Sequence, residues 1–227
     1  MPAQKNPPAG QRGEKKLTNL VKKQTKCAPP TQPRQPLRQR LSDHTLRQVA
    51  ALLHCTEAEA INQDITIQTF DDSKEKDRRK ARLLHGRLSD QADNLDLLNQ
   101  QGCGIFIAVN QTDLLGRSKE NVVALRAQWA DVDGNKARQE LDLSSLALQP
   151  SLVVKSGHGT HLYWIFPEAI PCGEERRQEH TNLQRGIQKQ LAAYGADPAI
   201  VEHPEGVLRL AGFYNMKAEP VLVVVMR

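Results

Sequence analysis

No uninterrupted aliphatic run in this 227-residue chain is longer than the five residues 221–225, so its core must be assembled from many short pieces. A membrane helix needs about 20 apolar residues, and the N-terminus lacks the apolar stretch of a signal peptide. Neither a spanning segment nor secretion is expected. From Gly104 onward the apolar pieces read as strands at 105–109, 122–132, 152–155 and 161–166, each set off by Gly or polar clusters. Ahead of them, Ser42 stands as an N-cap before Leu46, Val49, Ala50 and Leu53 at helical spacing. A strand is expected at 65–70, a solvent-facing helix over the charged stretch 74–84, and a further helix at about 90–100 ending at Gly102. The stretch 174–194, with Leu183, Ile187 and Leu191 four apart, reads as an amphipathic helix closed by Gly195. Two extended pieces near 207–210 and 220–225 complete an α+β pattern. There is no internal repeat, P-loop or GxGxxG turn.

The hydrophobic content of 39% is enough for a core, but it is unevenly placed. Residues 1–40 hold seven prolines and ten Lys or Arg against the single acid Glu14, a net charge of +9. The remainder carries 21 basic and 25 acidic residues, a net of −4. The expectation is a disordered basic arm over 1–40 and a folded domain over 41–227, with the arm either meeting a polyanion or serving as a solvated tail. Cys27, Cys55, Cys103 and Cys172 are far apart and form no CxxC pair, so zinc and disulfide frameworks are not expected and a reducing cytoplasm fits.

Three segments carry chemistry. In Trp129-Ala-Asp-Val-Asp-Gly134 the two carboxylates are two residues apart on a strand, share one face, and leave Val132 to the core. Like charges at that spacing repel, and a hard divalent cation such as Mg²⁺ or Mn²⁺ would neutralise them; an ordinary strand-end turn is the alternative. Lys155-Ser-Gly-His-Gly-Thr-His-Leu-Tyr-Trp164 is a glycine-punctuated turn in which Ser156 and His161 offer donors to phosphate oxygens. Gly195-Ala-Asp-Pro198 precedes Leu208-Arg-Leu-Ala-Gly-Phe-Tyr-Asn-Met-Lys217. Asp197 there suits either a turn before Pro198 or a third oxygen ligand, with Arg209 and Lys217 neutralising phosphate charge. Trp164, Phe213 and Tyr214 are candidates for base stacking or for the core.

Taken in this order, DxD, then SGxGxHxYW, then GxDP with an R-L-x-G-x-x-N-x-K tail, the segments resemble the archaeo-eukaryotic primase superfamily, in particular its RepB-like plasmid and phage primases. Gln68-Thr-Phe-Asp-Asp72, Leu98-Asn99, Gly104-Ile-Phe-Ile-Ala-Val-Asn110 and Gly116-Arg-Ser-Lys-Glu-Asn-Val122 ahead of Arg126 are similar to the same family. The likeness runs over about residues 60–217. It departs at Ala211, where relatives often carry Pro, and in the lack of the zinc module of cellular primases.

The resemblance implies a catalytic core with an RRM-like, mainly antiparallel sheet flanked by helices. It implies a DNA primase or primase-polymerase that makes short primers on single-stranded DNA by two-metal nucleotidyl transfer. Asp131, Asp133 and Asp197 match the metal-binding acids, holding two Mg²⁺ or Mn²⁺ ions; Ser156, His161, Arg209 and Lys217 match the nucleotide-binding positions. The implied partners are a single-stranded template, nucleoside triphosphates, and a replicative helicase in the same or a separate chain. Three other readings compete: a catalytically silent DNA-binding replication initiator, an HUH-type replication nuclease, and a Toprim-type enzyme.

Overall fold

The computed structural model describes residues 41–227; the basic stretch 1–40 lies outside the described residues. The first helix, α1 (Asp43–Leu53), begins at Ser42, whose hydroxyl accepts from Thr45 N at 3.2 Å, and it buries Leu46, Val49 and Leu52. A short helix, α2 (Glu57–Ala60), carries a Thr56/Glu59 capping box. Strand β1 (Asp64–Asp71) follows, then β2 (Leu83–Arg87), helix α3 (Leu88–Gln100) and β3 (Cys103–Ala108). With β8 (Val207–Arg209), three of these strands form a four-stranded sheet in the order β2-β1-β3-β8.

The second sheet has five strands in the order β11-β6-β7-β5-β4, from β4 (Gln111–Thr112), β5 (Val122–Asp133), β6 (Leu152–Lys155), β7 (Gly159–Pro171) and β11 (Val224–Val225). A two-stranded ribbon joins β9 (Tyr214–Asn215) to β10 (Val221–Leu222). All strand pairings are antiparallel. The expected α+β, mainly antiparallel architecture is therefore observed, with the sheet divided in two.

Alternation along β5 sorts its side chains between two cores. Trp129, opposite Tyr163, joins the main core with Ile67, Leu95, Ile105 and Leu210, whereas Ala130, opposite Leu162, joins a smaller cluster with Val132, Val153 and Leu191. Buried Gln48 of α1 ties the two sheets together. Its Nε2 donates to Tyr163 Oη at 3.0 Å and to the Arg209 carbonyl at 3.1 Å, and its Oε1 accepts from Ala211 N at 2.6 Å.

Two expectations fail locally. Residues 74–84 form no α-helix, only a 3-10 turn at Arg78–Lys80 before β2. The buried Asp71 carboxylate organises that loop, accepting from Ser73 Oγ at 2.7 Å, Asp77 N at 2.8 Å and Lys80 Nζ at 3.1 Å. The long helix, α4 (Glu174–Leu191), is present and its continuation ends at Gly195, but Leu183 is 57% exposed, and the buried positions are His180, Gln184, Gln188 and Leu191.

The reason lies on β5, whose outer edge has no neighbouring strand beyond β4. Buried backbone groups need partners, and α4 supplies them from its side chains. Trp129 N donates to Gln184 Oε1 at 3.3 Å; the Trp129 carbonyl accepts from Gln188 Nε2 at 2.9 Å and Gln184 Nε2 at 2.5 Å. His180 Nε2 lies 3.1 Å from the Ala127 carbonyl, so the ring donates there. Further along, Asp197 N donates to the Asp131 carbonyl at 3.0 Å and Asp133 N to the Gly195 carbonyl at 3.1 Å. The strand that carries the two aspartates is thus held along its free edge by glutamines, a histidine and the segment 195–197.

Candidate active site

The end of β5 and the 156–161 hairpin meet β8 around a cavity of about 280 Å³ lined by Asp131, Asp133, Ser156, His161, Arg209 and Lys217. Six of the seven expected site residues converge there from three separate stretches of sequence. Strand pairing does most of the placing: Asp131 lies opposite His161 and Asp133 opposite Gly159. The carboxylates share the face that, farther back, carries Trp129, while Val132 is buried on the other.

Gly159 is required for this approach, because a Cβ there would sit 2.5 Å from the Val132 carbonyl oxygen. Gly157 has φ of +101°, a left-handed conformation that lets the chain turn back toward β7. The turn is closed by Ser156 N donating to the Gly159 carbonyl at 3.0 Å. Asn215 fastens it from outside, donating from Nδ2 to the Ser156 carbonyl at 2.7 Å, while its Oδ1 accepts from Lys217 N at 3.2 Å.

Asp131 and Asp133 remain open to solvent, with side chains 41% and 35% exposed. Asp131 Oδ1 lies 3.6 Å from His161 Nε2; Asp133 accepts from Asn135 N at 3.0 Å and lies 3.8 Å from Lys136 Nζ. The His161 ring is buried and its Nδ1 has no partner. Burial pushes the His161 pKa down against the pull of Asp131, and the cations Arg209 and Lys217 push the same way. The neutral ring is favoured, with one nitrogen beside a carboxylate and the other uncommitted.

Arg209, expected to neutralise phosphate charge, lines the cavity but is also engaged within the protein. Its guanidinium is buried, donates through Nη1 and Nη2 to the two oxygens of Asp72 at 2.9 and 2.8 Å, and stacks 4.7 Å above the Phe106 ring centroid. Asp72 also accepts from Met216 N at 2.9 Å. Asp72, Phe106 and Asn215 were not assigned roles from the sequence. The only signal for Asp72 was its place in the Gln68–Asp72 stretch, and for Asn215 its place in the Arg209–Lys217 tail.

Asp197 is the residue not brought into the cavity. Its backbone pairs with Asp131, but its carboxylate accepts from Ala199 N at 3.0 Å and lines a neighbouring depression with Lys136 and Arg138. Among the described residues, no group of three or more His, Cys, Asp or Glu is gathered closely enough to hold a metal ion. The chemistry of the Asp131–Asp133 pair nevertheless suits a hard divalent cation. It presents two exposed carboxylates on one strand face, neither spent on an arginine, beside a buried imidazole with an orphaned nitrogen. Of the aromatic candidates, Phe213 is buried in the main core, Trp164 is partly buried and donates to the Leu148 carbonyl at 3.0 Å, and Tyr214 is 47% exposed.

No protein-family model matches the sequence, and no curated protein matches it. Solved structures do match by fold. The cyanophage S-2L primase-polymerase AEP domain superposes with a TM-score of 0.57 at 17% identity, covering 83% of this chain and 91% of that one. Primase RepB′ gives 0.50 at 18% identity over 81% of this chain and 56% of that one. The catalytic domain of primase RepB′ in complex with initiator DNA gives 0.50 at 19% identity, over 82% and 85%. The described part of this chain has the fold of the archaeo-eukaryotic primase catalytic domain.

Proposed function

We propose that the chain is a primase or primase-polymerase that joins nucleotides on a single-stranded DNA template, with residues 41–227 as the catalytic domain and 1–40 as a basic arm that meets nucleic acid. The observation that carries the reading is the convergence of Asp131, Asp133, Ser156, His161 and Lys217 on one cavity, in a fold shared with primases. Joining two nucleotides places negative charge on the attacking oxygen and on the leaving pyrophosphate. A divalent cation held by Asp131 and Asp133, with Asp197 adjacent on the backbone, would supply Lewis-acid stabilisation of those oxygens.

The chain's own residues do the rest. Lys217, exposed at the rim, neutralises phosphate charge, and the Ser156 hydroxyl and the Nε2 edge of His161, which faces Asp131, offer donors to phosphate oxygens. Arg209 is committed to Asp72 through one N–H of each terminal nitrogen, which leaves further donors on a fork of fixed orientation. It acts as a pre-set element of the wall and contributes positive potential to the cavity. Lys136, Arg138 and Lys155, around the adjoining cavities, provide a cationic approach for a template strand. A replicative helicase would be the partner that exposes that strand.

The HUH nuclease reading finds less support. His158 is exposed while His161 is buried, and Tyr163 is fully buried and engaged by Gln48, not available as a nucleophile. A silent DNA binder gains nothing from two solvent-exposed carboxylates in a cavity that would meet phosphates. Equilibrium binding of a nucleoside triphosphate with and without Mg²⁺ or Mn²⁺ tests the proposal. Metal-dependent binding lost in Asp131→Asn is expected, and metal-independent binding that Asp131→Asn leaves intact would overturn it.

A further inference from the structure

A second polar cavity, of about 400 Å³, opens beside Arg126, with Thr66, Thr112, Asn62, Gln111 and Asp64 among its walls. Arg126 stands where the β5–β7 register jumps, from Leu125 opposite Ile170 to Ala127 opposite Ile165. Buried Asn110 fixes this irregularity. Its Oδ1 accepts from Arg126 N at 2.8 Å and Ala127 N at 3.4 Å, and its Nδ2 donates to the Pro204 carbonyl at 2.9 Å. Interruptions of a ladder re-aim side chains, and here the re-aimed group is a guanidinium on a cavity wall.

That guanidinium has no hydrogen-bond acceptor and no carboxylate within ion-pair distance among the described residues. Two other withdrawn arginines are served by hydrogen bonds: Arg209 by Asp72, and Arg117 by the Glu205 carbonyl at 2.9 Å and Gln68 Oε1 at 3.4 Å. Arg126 is part-buried, and a cation drawn partly out of water with no counter-charge beside it is costly. Burial pulls the Arg126 pKa down to about 10, with only a smaller upward pull from Cys55.

We propose that this cavity binds a phosphate group, presented by a mononucleotide or by a nucleic-acid backbone. The guanidinium fork matches two phosphate oxygens at once. Asn62 and Gln111 add neutral donors, and the linked hydroxyls of Thr66 and Thr112, 2.6 Å apart and continued to His85 Nδ1 at 2.9 Å, line one wall. The volume exceeds a lone oxyanion and suits a ligand of nucleotide size, with Asp64 an acceptor for a ligand hydroxyl. The site is distinct from the aspartate pair, since Arg126 precedes Asp131 by five residues, about 16 Å of extended strand. Only the choice of phosphate over another oxyanion rests on the nucleotide-joining reading.

Heteronuclear NMR of the full chain reads the site directly, through the Arg126 Nε–Hε signal and the amides of Thr66 and Thr112. In metal-free buffer, inorganic phosphate, thymidine monophosphate or a single-stranded thymidylate oligonucleotide is expected to move these signals saturably. Arg126→Gln should weaken the dissociation constant read at Thr66 and Thr112 at least tenfold, while Gly157 and Gly159, at the other cavity, respond as before. Movement with the monophosphate assigns the group to a free nucleotide, and movement with the oligonucleotide alone assigns it to a backbone. No response to any of the three ligands overturns the site, as does a response that Arg126→Gln leaves unchanged. Should Arg126→Gln fail to fold, Arg126→Lys, which keeps the charge but loses the fork, is expected to weaken binding in the same place. No synthesis enters the measurement, so its failure is separable from failure of the nucleotide-joining reading.

Discussion

At the scale of single residues, the Arg209–Asp72 pair is the sharpest addition to what the sequence implied. Both side chains are nearly fully buried, so removing one partner strands the other in a dry site, at a cost of about 3–5 kcal/mol. Asp72→Ala is therefore expected to lower stability by that amount in urea unfolding and, where it still folds, to weaken nucleotide binding more than template binding. Loss of less than about 1 kcal/mol would mean that Arg209 finds another acceptor. His161 and His158 part company in the same way. His161→Ala should raise the KM for nucleotide with little effect on DNA affinity, whereas His158→Ala, at an exposed position between two glycines, should change neither by more than about twofold. Equal effects would make the hairpin a structural unit or a metal-binding histidine pair. The aspartates and His161 were legible because strand periodicity puts residues two apart on one face. The Asp72 pairing was not, since 137 residues separate it from Arg209 and only the closing of the four-stranded sheet brings them together.

At the scale of elements, most helices and strands followed from caps and periodicity, and the exceptions have physical causes. The charged stretch 74–84 lost its expected helix to Asp71, whose carboxylate gathers the loop's donors. Helix α4 was predicted with its apolar stripe inward, but it packs along a strand edge, where backbone groups call for Gln and His more than for Leu. Pattern alone cannot reveal an edge-capping helix. Its energetics can be tested by pH. Burial lowers the His180 pKa in the folded state below its ordinary 6.5, against a smaller upward pull from its bond to Ala127. The unfolded chain then binds the proton more readily, so stability is full above about pH 6.5 and falls as pH drops below it. In His180→Gln that part of the decline should be absent from denaturation midpoints measured between pH 7 and 5. A decline of unchanged steepness would place the titration elsewhere, with His161 the next buried imidazole.

At the scale of the whole molecule, charge is divided between a +9 segment and a body of net −4. Long-range attraction for a template must come largely from residues 1–40, while the carboxylates, the hairpin and Lys217 all lie downstream. Each phosphate neutralised on a single strand contributes about 0.7 to the slope of log affinity against log salt. Removing residues 1–40 is expected to weaken template binding and flatten that slope, leaving synthesis at saturating template and low salt intact. Identical slopes for the two proteins would make the segment a solvated tail.

The most direct test of the central claim, that the Asp131–Asp133 cavity joins nucleotides, is template-directed dinucleotide synthesis with Mg²⁺ or Mn²⁺ by the full chain and by Asp131→Asn and Asp133→Asn. Removing either charge relieves repulsion between the two acids, so each variant should melt no lower than the parent in the absence of metal, yet lose synthesis by at least about 10³-fold, roughly 4 kcal/mol of transition-state stabilisation. A labelled dinucleotide from the parent and none from either folded variant is the result this account predicts; full synthesis by either variant, or none by the parent on any single-stranded template, would contradict it.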